Sequence, residues 1–117
     1  MNAEIVRDAC LSLPYVTEDF PFDESTLVFR VGGKIFCLLD VEEGKSANLK
    51  CDPERAIELR ETFSGVRPGY HMNKKHWNTL LFGEDIPEEI WKENILHSYE
   101  LVFKSLTKKL QHELQNR

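Results

Sequence analysis

The sequence predicts a two-layer α+β domain: a mainly antiparallel sheet with helices on one face, in the order α-β-β-β-α-β(β)-α. Three observations lead there. Stretches with helical apolar spacing open and close the chain. Between them lie runs of alternating apolar residues, the clearest split by Gly32-Gly33. The strand connections are short enough for hairpins, which makes the sheet antiparallel and collects the helices in a second layer.

The first helix is expected over roughly residues 2 to 13. Asn2 can cap it, while Ile5, Val6, Ala9, Cys10 and Leu13 recur on one face. Pro14 ends it, because proline disfavours helical geometry in the residue before it. Tyr15 to Glu24 alternates weakly, and Pro21 allows only an irregular or edge strand. Tyr15, Phe20 and Phe22 are expected to pack under the sheet or line a groove. The acids Glu18, Asp19, Asp23 and Glu24 lack a calcium-loop pattern and are read as solvated turn residues.

Thr26 to Val31 and Lys34 to Val41 form a hairpin, with the glycine pair supplying the positive φ of a tight turn. Leu27, Phe29 and Val31 share a face. On the second strand Ile35, Cys37 and Leu39 point one way, Phe36 and Leu38 the other, so that strand is expected to be central. Ala47, Leu49 and Cys51 alternate on a third strand. Asp52-Pro53-Glu54 then starts a helix, with a capping acid, proline at the first position and an acid near the positive helix end. It runs to about Phe63 with Ala56, Ile57, Leu59 and Phe63 inward, and Ser64-Gly65 stops it.

Arg67-Pro68-Gly69-Tyr70 fits a type II turn, and Trp77 to Phe82 a strand. Asp85-Ile86-Pro87-Glu88 resembles a capping box that opens one long helix to about Gln115. Ile95, Tyr99, Val102, Leu106 and Leu110 form its core stripe, joined by Trp91.

At 117 residues the chain reads as a single domain, 1–117, and its 41% apolar and 30% charged composition suits an ordinary globule. No apolar run approaches the roughly 18 residues a membrane span requires, so no membrane partner is expected. The amino terminus lacks a signal-peptide apolar core. The 3 cysteines show no Cys-x-x-Cys spacing, so they read as small core residues in a reducing cytoplasm.

The stretch richest in chemistry is 67–79. No acid occurs from Thr62 to Gly83, although the chain carries a net charge of -5. The candidate contacts are Arg67, Tyr70, His71, Asn73, Lys74, Lys75, His76 and Trp77, with Lys34, Lys45 and Lys50 as a second projection. Cations and amide donors suit phosphates, and an exposed aromatic can stack on a base. A small anionic ligand or a protein partner suits the same residues, with Tyr70, His71 and Trp77 walling a shallow pocket. The long helix and sheet also suit a weak homodimer face. Trp77 alternatively anchors the core.

An enzyme is the least supported class. His71 and His76 are the best acid-base candidates, yet no nearby carboxylate in sequence orients either ring; Asp23 or Asp40 would have to approach in space. Ser98 lacks a nucleophile elbow and reads as a helix-packing residue. The histidine and cysteine spacings do not make a metal site, and no cofactor is implied. No catalytic residue is assigned.

Several segments resemble the MmcQ/YjbR family. They are Leu13-Pro14 with Glu18-Asp19-Phe20-Pro21-Phe22, Gly33-Lys34-Ile35-Phe36, Leu49 to Glu54, Pro68 to Asn78, and His97 to Val102. The likeness spans nearly the whole chain in order. It implies a secretion-chaperone-like or frataxin-like two-layer fold and DNA binding through a double-wing motif. It brings no catalytic set. The matching polar or aromatic positions are Tyr70, His71, Lys74, Trp77, Lys34, Lys50 and Ser98.

Overall fold

The computed structural model describes residues 1–69 and 72–117; Tyr70 and His71, with the roles expected of them, lie outside the described residues. The elements are α1 (Ala3–Leu11), β1 (Val16–Asp19), β2 (Thr26–Val31), β3 (Lys34–Asp40) and β4 (Ser46–Lys50). They continue with α2 (Pro53–Thr62), β5 (Val66–Pro68), β6 (Trp77–Leu81), α3 (Glu88–Ser105) and α4 (Lys108–Gln115). The six strands form one sheet in the order β1-β2-β3-β4-β6-β5, every neighbour antiparallel. The α+β expectation holds. The edge strand allowed at residues 15–24 forms as β1 and the optional extra strand as β5, while the last helix is two helices.

Alternation follows from the register. Leu27, Leu39, Ala47, Leu80 and Val66 form a continuous row across five strands, all buried in the main core. Val6 and Cys10 of α1 and Trp91, Ile95, Tyr99 and Val102 of α3 pack against that face. Trp91 stacks on Phe82 at 4.8 Å, and Tyr99 meets Phe36 edge-on at 5.4 Å. All three cysteines are buried and free, as expected of small core residues.

The sequence reading of β3 needs one correction. The ladder pairs Arg30 with Ile35 but Phe29 with Cys37, so Phe36 is the extra residue of a bulge. The bulge shifts the alternation, which buries Phe36, Cys37 and Leu39 and leaves Ile35 with Leu38 only half-buried. The Gly32-Gly33 turn is as predicted, with φ of 59° and 82°. A Cβ at Gly32 would lie 2.5 Å from Leu106, because the end of α3 packs over this turn.

Other local motifs lost to tertiary contacts. Asp85 does not cap α3. Its carboxylate accepts the N–H groups of Ser64 and Gly65, both at 2.8 Å, and so closes the α2–β5 turn; Pro87 occupies the N-cap position of α3, which has no side-chain cap. Gly69 makes no type II turn, since its φ is not positive and its N–H donates to the Trp77 carbonyl at 2.9 Å, extending the ladder. A Cβ there would sit 3.0 Å from the Trp77 Cβ and carbonyl, so a larger residue would make this strand contact give by a few tenths of an ångström.

Ile57 faces solvent at 52% exposure, and Phe20 and Phe22 are exposed rather than packed. Tyr15 is partly exposed and stacks on Phe103 at 6.3 Å. The long helix breaks at Leu106, where ψ is 156°, and Thr107 caps α4 through the Leu110 N–H. Among the described residues no helix is long and apolar enough to cross a membrane.

Candidate functional site

The register brings particular chain segments to each end of the sheet. The β2–β3 turn, the end of β4, the start of β6 and the end of β5 share one end: Val31 pairs with Lys34, Lys50 with Trp77, and Pro68 with Asn78. That end carries Lys34, Lys50 and the turn 72–76. With strands about 4.8 Å apart, β3 and β6 lie roughly 10 Å from one another across β4.

Each projection is braced. Arg30 donates to Asp19 at 3.0 Å and to the Gly33 carbonyl at 3.1 Å, fixing the hairpin tip behind exposed Lys34. In the second projection the Met72 N–H donates to the Gly69 carbonyl at 3.0 Å. The Asn73 side chain accepts the Lys75 N–H at 2.9 Å, and the His76 N–H donates to the Asn73 carbonyl at 3.0 Å. This is an Asx turn, which asparagine favours by offering its own side chain to the backbone. It leaves Lys74 and Lys75 exposed and His76 half-buried. The His76 carbonyl accepts the Cys51 N–H at 2.7 Å, joining the turn to β4.

Below the turn, Lys50 and Asp52 are held by consecutive residues of α3. Ser98 Oγ accepts the Lys50 N–H at 2.8 Å and donates to the Phe36 carbonyl at 2.6 Å. His97 Nε2 accepts the Asp52 N–H at 3.2 Å. His97 is therefore neutral on that nitrogen. Burial holds its pKa below the ordinary value, reinforced by the Arg55 charge. Beside it, burial pushes the Cys51 thiol up to about 11, away from thiolate chemistry. Ser98 thus packs and bonds as a structural residue.

Trp77 is only 8% exposed, so it offers no face on which a base could stack without rearrangement. It projects from the sheet face opposite Asn78, whose amide donates to the Ala56 carbonyl of α2 at 3.3 Å. Trp77 is packed, but not between sheet and long helix. Arg67 is exposed, yet its Nε donates to the Ser64 carbonyl at 2.7 Å, which draws the guanidinium towards the other end of β5. Lys45 is separated too. It precedes Ser46, which pairs with Leu81, and its Nζ lies 2.7 Å from Glu43.

The opposite end of the sheet is acidic. Asp23, Asp40, Glu42, Glu43 and Asp85 lie in or beside its turns. Asp23 accepts N–H groups from Thr26 and Ser25, and Asp85 those of Gly65 and Ser64; these bonds hold both carboxyls below the usual range and keep them ionised. Asp23 and Asp40 therefore lie far from His76 and do not orient its ring. Among the described residues no group of three His, Cys, Asp or Glu side chains could hold a metal ion.

A further cation joins the basic end. The α3 axis runs from Trp91 at Phe82 to Leu106 at Gly32, so the end of α3, which carries Lys104, reaches the hairpin turn. The signal for its position was Leu106, a stripe residue that packs on the glycine turn.

The fold and its braced projections define a small α+β domain whose sheet carries Lys34, Lys50 and the 72–76 turn at one end. The chain belongs to the YjbR family, whose model matches residues 11–101. It is 38% identical over 107 residues to the uncharacterised protein YbdF of Escherichia coli O157:H7, covering 91% of this chain and 88% of that one. It is 31% identical over 80 residues to the uncharacterised protein YjbR of Escherichia coli strain K12, covering 68% of each. Among solved structures, Deinococcus radiodurans protein DR2400, described as a DUF419 domain, superposes with a TM-score of 0.89 at 40% identity. That match covers 96% of this chain and 86% of that chain. A Pseudomonas syringae protein superposes with a TM-score of 0.75 at 27% identity, covering 87% and 99%.

Proposed function

We propose that the basic end of the sheet binds nucleic-acid phosphates without catalysing a reaction. The observation that carries this reading is a cluster of cations: Lys34, Lys50, Lys74 and Lys75 gather at one end, with Asp52 beside Lys50, while Asp23, Asp40, Glu42, Glu43 and Asp85 lie at the other. A net charge of -5 would repel DNA from the molecule as a whole. Within a Debye length of about 10 Å, however, a phosphate at the basic end feels mainly the local lysines. The two braced projections match the idea of two wings. Backbone contacts carry the affinity among the described residues, where Trp77 is buried.

The test is an amide-resolved NMR titration with a short duplex and a matched single strand, at low and then moderate salt. Shifts should centre on Lys34, Lys50 and Asn73 to Trp77, leave Asp23 and Glu42 unmoved, and fade with salt. Three or four phosphate contacts imply a salt slope of about -3 to -4. Absence of shifts with both nucleic acids at low salt would overturn the proposal. The same spectra would then screen small anions and peptides against the same lysines.

A further inference from the structure

The helix layer carries a feature unrelated to the basic end. An apolar groove of about 460 Å³ runs between α1 and α3, floored by Ala9, Leu13 and Ile95 and opened by Ile5 and Leu96. Leu96 is 44% exposed, and Ile5 is exposed beside it. On α1 the residues Ile5, Ala9 and Ser12 recur at helical spacing; on α3, Lys92, Ile95 and Leu96 do the same. The groove thus lies between two helices. One rim carries Asp8 and the other Lys92.

We propose that a second copy of this chain docks on this groove, forming a weak two-fold dimer. A two-fold contact requires a surface complementary to itself, in which residue i meets residue j of the partner and j meets i. This face has both halves of such a contact. Leu96 forms a ridge that also borders the neighbouring cleft at Arg55 and His97, so each copy offers a knob beside its own hole. Ridges of one helix enter grooves of another in this way throughout helical packing.

The rim charges have the same property. One acid and one base line opposite helices of the groove, so a two-fold axis parallel to the groove sets each Asp8 against the other copy's Lys92. Lys92 already lies 3.5 Å from Glu88 on its own helix. That exposed pair contributes little and leaves the ammonium free to turn.

Sedimentation equilibrium of the intact chain, from about 10 µM to about 1 mM, tests the inference directly. The mean mass should climb from that of one chain towards that of two. Leu96→Glu should weaken association about tenfold or more, and its exposure makes folding of the variant checkable by its circular dichroism. Asp8→Lys and Lys92→Asp should each associate less than the parent chain. An equimolar mixture of those two variants should associate more strongly than either, because it restores both rim pairs. A parent chain that keeps the mass of one chain throughout overturns the proposal. So does a folded Leu96→Glu variant that associates like the parent, or a mixture no stronger than its components.

Discussion

Ser98 bonds the Lys50 backbone to α3: its hydroxyl accepts the Lys50 N–H at 2.8 Å while donating to the Phe36 carbonyl at 2.6 Å. One fully buried hydroxyl therefore connects β3, β4 and the long helix. Ser98→Ala leaves a donor and an acceptor without that partner. It should cost about 1–3 kcal/mol, read as a fall in the urea midpoint with unchanged slope. A change inside ~0.5 kcal/mol would mean that both groups find other partners, as surface substitutions do.

The next residue along the helix, His97, is a pH-dependent brace. Its neutral ring accepts the Asp52 N–H at 3.2 Å, and its pKa is lowered chiefly by burial and then by Arg55. Because the folded pKa lies below the ordinary value near 6.5, the unfolded chain protonates first. The contribution is therefore full above about pH 6.5 and is lost as pH falls through the folded pKa. His97→Gln keeps a side-chain acceptor but cannot titrate. Urea midpoints between about pH 7.5 and pH 5.5 should fall further for the parent chain than for this variant. Parallel curves for the two would remove His97 from the pH response.

The hairpin end owes its shape to two glycines that are not equivalent. Both have positive φ, but a Cβ at Gly33 meets nothing within 4 Å, whereas one at Gly32 meets Leu106 at 2.5 Å. Gly33→Ala should cost only the backbone term, about 1–2 kcal/mol. Gly32→Ala also makes the terminal methyls of Leu106 move aside, a shift at the far end of a flexible side chain that should add no more than about 1 kcal/mol. Equal midpoints for the two variants would show that Leu106 yields without strain.

That contrast illustrates what was legible in the sequence. Gly32-Gly33 and Asp52-Pro53 act through their own backbone, so their turn and helix start could be read locally. Asp85 looked like a helix cap, but the open N–H groups of Ser64 and Gly65, twenty residues earlier, took its carboxylate. Leu106 continues the apolar stripe, so the break before α4 was hidden. Thr107 was the cue, since threonine caps a helix start. The basic stretch at 72–76 was visible as composition. Its partnership with Lys34 and Lys50, and its separation from Lys45, depend on strand register, which pairs residues far apart in the chain.

That separation yields a charge-matched prediction for phosphate binding. Lys74→Glu with Lys75→Glu, and Lys34→Glu, change residues at the basic end, whereas Lys45→Glu changes one beside Glu43 at the acidic end. All are exposed, so each folded structure should survive with changes of about 0.5 kcal/mol or less per site. Removing one phosphate contact should lower the magnitude of the duplex salt slope by about 0.9. The basic-end variants should lose affinity and slope together. Lys45→Glu makes the net charge more negative by the same amount per site, yet it should leave the slope unchanged. If Lys45→Glu weakens binding as much as Lys34→Glu, net charge rather than the basic end governs the interaction. Fluorescence-anisotropy titrations of a labelled duplex at several salt concentrations distinguish these outcomes.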